Sequence, residues 1–151
     1  MKTLSTHAEA AKAIRNELKQ KFPLIKFSVK SRSFAGGDSI DINWIDGPSR
    51  EMVVKITGKY QYGNFDGMTD CYNYSNTRND IPQVKYVFER REVSEKIMQD
   101  EFEKCKESYA GWENLSSLDE CSQELMKIWS HWTAREYINR KLREQDLTNV
   151  T

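Results

Sequence analysis

Residues 25–44 read IKFSVKSRSFAGGDSIDINW, and their alternation decides the fold class. Ile25, Phe27 and Val29 point one way while Lys26, Ser28 and Lys30 point the other; the same rhythm returns at Ile40, Ile42 and Trp44 against Asp41 and Asn43. A side-chain period of two residues is the signature of a strand buried on one face. Between the two runs, Ala35-Gly36-Gly37-Asp38 supplies the permissive backbone of a hairpin, with a loop longer than the tightest turns. The stretch therefore predicts two half-buried strands paired antiparallel.

Upstream, Thr6 followed by Glu9 matches a capping box, so a helix is expected from there to about Gln20, with Ala10, Ala11, Ala13, Ile14 and Leu18 as its apolar stripe and Pro23 limiting its extension. Downstream, Asp46-Gly47-Pro48 punctuates the entry to Ser49–Gly58. That segment reads equally as strand (Met52, Val54, Ile56) and as helix (Met52, Val53, Ile56); the Pro entry and the Gly58 exit favour helix. After a polar stretch and Pro82, residues Val84 to Glu89 predict a third strand with Val84, Tyr86 and Phe88 on its buried face. The order is α-β-β-α-β: an α+β domain over residues 1–91, a small three-stranded antiparallel sheet packed by two helices.

Residues 92–151 predict two further helices packed on that core. The first runs from Ser94 to about Tyr109 with Ile97, Met98, Phe102 and Cys105 inward, and the second opens on a Ser117/Glu120 capping box. If unbroken from Leu118 to Glu144, the second would be on the order of 40 Å long at about 1.5 Å per residue, more than one face of a small domain needs, which leaves open whether its end projects or folds back. Trp129 and Trp132 share one of its faces, which suits packing on the preceding helix or an interface.

Composition narrows the function. The 23 basic and 23 acidic residues cancel, but residues 1–92 carry 15 against 11 and residues 93–151 carry 8 against 12. Overall basic character, the usual mark of a nucleic-acid binder, is missing, and only a local patch remains to argue for one. Cys71, Cys105 and Cys121 are odd in number and without CxxC spacing, which fits reduced thiols rather than a disulfide framework or, with His131, a zinc site. No apolar run approaches the length of a membrane span and no charged leader with an apolar core opens the chain, so a cytoplasmic protein without membrane association is expected.

The segment Lys59–Ser75, KYQYGNFDGMTDCYNYS, holds five of the thirteen Phe and Tyr residues. Rings this dense either close over a core or form a binding surface. Tyr60, Tyr62, Phe65, Tyr72 and Tyr74 would offer faces for unpaired bases or for a protein partner; Lys26, Lys30, Arg32, Lys55 and Lys59 would supply backbone-tracking charge if the polar face of the first strand and the second helix lie close together. Asp66 and Asp70, four residues apart, lack the ligand ladder of a calcium loop and suit Asx turns and capping better than metal binding or acid-base work. Cys71 has no histidine near it in sequence to act as its base, since the only two are His7 and His131. No phosphate-cradling or zinc-protease motif is present. No catalytic set, metal or cofactor is expected.

Taken in order, KFSVKSRSFAGG, the DGP turn, YQYGNFDGMTD and NDIPQVKYV within Ala8–Val87 resemble one of the large polyvalent protein-associated domains, number twenty-nine. The resemblance implies a module of bacteriophages and conjugative elements, found alone or beside unrelated enzymatic domains, and brings no established chemistry. The expectation is a non-enzymatic interaction protein acting in the bacterial host cell, which binds a host macromolecule such as a protein of a defence system. The alternative is a nucleic-acid-binding accessory protein using the basic and aromatic surface of residues 1–92. Neither reading implies an oligomeric state.

Overall fold

The computed structural model describes residues 5–120 and 133–149. Helix α1 (Thr6–Lys21) starts one residue earlier than the expected box: Ser5 is the N-cap, its carbonyl accepts from the Ala8 and Glu9 amides, and its hydroxyl lies 3.1 Å from His7 Nε2 without capping the helix. Strands β1 (Ser28–Phe34) and β2 (Gly37–Ile45) pair antiparallel with Val29 opposite Ile42, as their alternation requires. Their connection is tighter than expected, only Ala35 and Gly36 lying between the strands. Gly37 ends the hairpin at φ 148°, a conformation that L side chains rarely adopt. A β-carbon there would also meet the Lys85 chain at 2.7 Å.

Helix α2 (Arg50–Thr57) resolves the ambiguous segment in favour of helix, with the Ser49 hydroxyl capping the Met52 amide at 3.3 Å. A short 3₁₀ turn (Gly58–Tyr60) leads to a two-stranded hairpin, β3 (Asn64–Asp66) and β4 (Cys71–Asn73). The chain then enters β5 (Tyr86–Glu92), which lies beside β2 in the order β1-β2-β5.

Two expectations about β5 are corrected here. Its pairing with β2 is parallel, so the sheet is mixed rather than antiparallel. The reason lies in the connection: α2 carries the chain back along the sheet, the crossover that parallel neighbours need. Its phase is also inverted. Val87 and Glu89 are buried, while Phe88 is exposed and Tyr86 half-buried. Val84 is interior as expected, but through a separate bridge, donating its amide to Tyr60 O and accepting from the Tyr62 amide. The alternation slips at Lys85, whose amide is held by Asp38 Oδ1 at 2.8 Å.

One core lies between the sheet and helices α1 and α2: Ala10, Ile14 and Leu18 meet Ile40, Ile42, Trp44 and Val53. Buried Glu89 enters this layer because the Thr57 hydroxyl donates to its Oε1 at 2.7 Å and Arg50 Nη2 lies 3.7 Å from its Oε2. The open edge of β5 is blunted by side chains, with Arg50 Nε donating to Glu89 O and Gln61 Oε1 accepting from the Val87 amide.

Helix α3 (Glu95–Ser108) and helix α4 (Ala134–Leu142) build a second core with Trp112, Leu115, Leu118 and Leu147. A continuous helix from Leu118 to Glu144 is ruled out. Residues 118–120 lie in a turn, and Thr133 is an extended N-cap with a complete capping box to Glu136, which starts a new helix. Nor does the end project. Leu147 bridges back to Gly47, its amide 2.6 Å from the Gly47 carbonyl, and Arg91 donates to the carbonyls of Leu142, Arg143 and Gln145. Trp129 and Trp132 lie outside the described residues. No helix among the described residues is long and apolar enough to cross a membrane.

Candidate interaction surface

Both helices of the first core cover one face of the sheet; the other carries no helix among the described residues, and the β3–β4 hairpin packs on its Tyr86 side, where Ser39 is buried. The cross-strand rows of this second face are Arg32–Ser39–Tyr86, Lys30–Asp41–Phe88 and Ser28–Asn43–Arg90. Phe34 and Tyr86 stack with ring centroids 6.4 Å apart, and Tyr86 and Phe88 stack at 5.9 Å with ring planes 11° apart. Phe34 and Phe88 keep 45% and 38% of their surface exposed, so this row of rings is presented to solvent rather than packed away.

The β3–β4 hairpin extends the row. Tyr72 meets Tyr86 edge-on at 5.7 Å, and Tyr62, Tyr72 and Tyr74 lie within 5.1 to 5.8 Å of one another. Its seating is specific: the Tyr72 hydroxyl donates to Lys85 O at 2.6 Å, and burial pushes that phenol up to about 12, with the neighbouring tyrosines adding to the rise. Gly63 allows the close approach, since a β-carbon there would fall 2.1 Å from Asn73 O. Buried Gln83 fastens the following loop by donating to Lys59 O and Asn76 O while accepting from the Arg78 amide.

Cations border the rings. Lys85 Nζ lies 5.1 Å from the Tyr72 ring centre and 5.7 Å from that of Tyr86, and the Arg90 guanidinium lies 5.6 Å from the Phe88 centre. Arg32 and Arg90 share one carboxylate, Asp41, at 3.5 and 3.3 Å, while Lys30 is exposed. Four cations thus flank a ring row whose inner strand carries two aspartates, Asp41 between the arginines and Asp38 on the Lys85 amide.

The structure divides the residues expected from the sequence. Lys30 and Arg32 stand on the ring face, and Lys26 is exposed on the approach to β1. Tyr62, Tyr72 and Tyr74 join the rings, with Tyr74 67% exposed, and Phe65 lies exposed on the hairpin. Tyr60 is interior and donates its hydroxyl to Glu17 Oε1 at 2.9 Å, an anchor rather than a contact. Lys59 binds the same carboxylate at 2.6 Å on the helical side, and Lys55 belongs to α2 on that side too, so neither joins Lys30 and Arg32. Asp66 makes an Asx turn, its Oδ1 accepting from the Met68 amide, and that bond holds its carboxyl below the ordinary value, with Thr69 assisting. Asp70 takes a left-handed turn conformation at φ 53°. No group of three metal-binding side chains occurs among the described residues.

Sequence reading missed Phe34, Lys85, Tyr86, Phe88 and Arg90. One clue was present: Phe34 falls in the same phase of β1 as Lys30 and Arg32, the polar phase, so its ring had to leave the core side.

The family model for large polyvalent protein associated domain 29 matches residues 5–94. The chain belongs to this family. Domain 29 occurs in large polyvalent proteins of phages and mobile elements. It contains the whole mixed sheet, both covering helices and the tyrosine hairpin, and ends as α3 begins. No curated protein and no solved structure matches the chain.

Proposed function

We propose that this domain 29 protein works by binding rather than by catalysis, in the cytoplasm of a bacterial host, and that it holds single-stranded nucleic acid across the open face of its sheet. The observation that carries this reading is the row Phe34–Tyr86–Phe88, its two outer rings exposed and Tyr86 half-buried between them, with Lys30, Arg32, Lys85 and Arg90 around it. Flat π-faces accept any base, and flanking cations follow the phosphates without reading sequence. A neutral chain achieves this locally because the acids near the row are engaged, Asp41 by two arginines and Asp38 by the Lys85 amide.

The test is fluorescence anisotropy of a labelled oligothymidylate at low salt. Phe88→Ala should weaken binding roughly 5- to 150-fold, the equivalent of about 1–3 kcal/mol for a stacked base. Replacing Lys30 and Arg32 by Gln should lower the salt slope by about 1.4, or about 0.7 per lost phosphate contact. Absence of any binding at low salt overturns the proposal.

A second reading, capture of a host protein such as a defence component, is favoured by the hairpin tip, where Met68 is 97% and Phe65 53% exposed. It predicts a partner from host lysate that Phe65→Ser with Met68→Ser releases. Equal recovery by parent and variant would remove it.

A further inference from the structure

We propose that the arginine-lined cleft between β5 and α4 is a second site, which binds a phosphate group of the nucleic acid leaving the sheet face. The cleft measures about 600 Å³ and is lined by Arg50, Arg90, Arg91, Arg135 and Arg143, with Asn139 among them. Each guanidinium has a different commitment. Arg135 holds Glu95 and Asp119, Arg50 faces Glu89, and Arg90 has only a share of Asp41. Arg91 is engaged by three main-chain carbonyls and, among the described residues, has no carboxylate within ion-pair distance, Asp46 and Asp146 lying nearby. The Arg143 side chain has no partner among the described residues; its main-chain carbonyl is what Arg91 holds. Of the lining carboxylates, Glu89 is buried against Thr57, and only Glu92 is exposed.

Guanidinium forks suit phosphate oxygens, which accept two parallel N–H bonds from one group. Continuity names the source of the phosphate. Arg90 lies over the Phe88 ring on the open face and also lines the cleft, so a strand stacked on Phe88 is carried towards Arg143. The site needs both parts of the chain: Arg50, Arg90 and Arg91 lie within the family match at residues 5–94, while Arg135, Asn139 and Arg143 lie beyond it. Docking of α4 therefore gives this domain 29 protein an anion site that residues 5–94 alone would lack. The identity of the occupant rests on the proposed strand binding; the anion site itself does not.

The experiment uses the full chain, with Arg143→Gln, which leaves the main-chain bond to Arg91 in place, and Asn139→Asp, which sets a negative charge in the cleft. Matching circular dichroism melts establish that both fold. A labelled 24-nucleotide oligothymidylate is titrated at several salt concentrations, and inorganic pyrophosphate is followed by thermal shift. Both variants are expected to weaken oligonucleotide binding, Asn139→Asp by about tenfold, the effect of roughly 1.4 kcal/mol, and Arg143→Gln with a salt slope smaller by about 0.7. Oligonucleotide bound identically by parent and both variants overturns the cleft and leaves the sheet-face reading standing. Oligonucleotide unbound, but pyrophosphate raising the melting temperature of the parent and not of Arg143→Gln, removes the sheet-face reading and keeps the cleft as a site for a free phosphorylated molecule. Failure of both probes on the parent removes both.

Discussion

Replacing Arg91 by Met should loosen the C-terminal helices from the sheet without unfolding the first core. Arg91 Nη2 donates to the Leu142 carbonyl at 2.5 Å and to that of Arg143 at 3.2 Å, while Nη1 donates to Gln145 O at 2.6 Å. A positive group at these last carbonyls of α4 also complements the helix dipole. A hydrogen bond to a charged group contributes about 1.5–3 kcal/mol, but only when its partner cannot turn to water. Leu142 is buried, whereas Arg143 and Gln145 are exposed and their carbonyls rehydrate. One bond therefore counts nearly in full and the other two for little. Against this stands the cost of burying the guanidinium, which lowers its pKa from the ordinary value despite the nearby Asp46 and Asp146. Methionine keeps the apolar stem, so the net loss should be about 2 kcal/mol, or roughly 4–8 °C in melting temperature for a chain of this size. Endoprotease Glu-C cleavage after Glu92 or Glu95 should accelerate. Arg91→Lys should recover less than half of the loss, because an ammonium cannot fork across three acceptors. A Met variant melting within about 1 °C of the parent, or full recovery by Lys, would refute the reasoning.

Gly63→Ala should destabilise the hairpin by about 1–3 kcal/mol by overpacking, since the added carbon meets Asn73 O and the Tyr72 ring; an unchanged melting temperature would show that the strands separate freely. Ultraviolet titration of the folded protein should show Tyr60, Tyr62, Tyr72 and Tyr137 keeping their protons above the ordinary phenol value; Tyr60, Tyr62 and Tyr72 are raised first by burial and Tyr137 first by the Tyr109 hydrogen bond, Tyr72 and Tyr137 to about 12. Because the folded state then holds protons that the unfolded chain releases near pH 10, this contribution to stability is complete below pH 10 and declines as pH rises towards about 12; a single transition for all seven tyrosines would contradict it. Glu89→Gln, which keeps an acceptor for the Thr57 hydroxyl, should cost less than about 1 kcal/mol, whereas Glu89→Ala, which removes buried volume and that acceptor, should cost about 2; equal denaturant midpoints would dismiss a structural role for the carboxylate.

The two hairpin strands, the helical character of residues 50–57 and the separate helical tail were legible because periodicity and punctuation are local. Val29, Ile40, Ile42 and Trp44 are all buried as their alternation predicts. The third strand was misread because alternation reports phase only while it is unbroken. The slip at Lys85 puts Val84 and Val87 on the same side, and a buried Glu89 next to exposed Phe88 reverses the polarity that hydrophobicity would assign. Strand direction was illegible for a similar reason, since it depends on where the intervening helix deposits the chain.

Fold class and family were thus determined by the order of residues alone, through short-range patterns that survive whatever packs around them. Which rings face solvent and which cations stand beside them was decided only by tertiary structure. Lys59 and Lys30 are interchangeable in composition, yet one neutralises Glu17 against α1 and the other borders an open row of aromatics. That difference arises because a sheet has two faces, and the helices of this domain cover one of them.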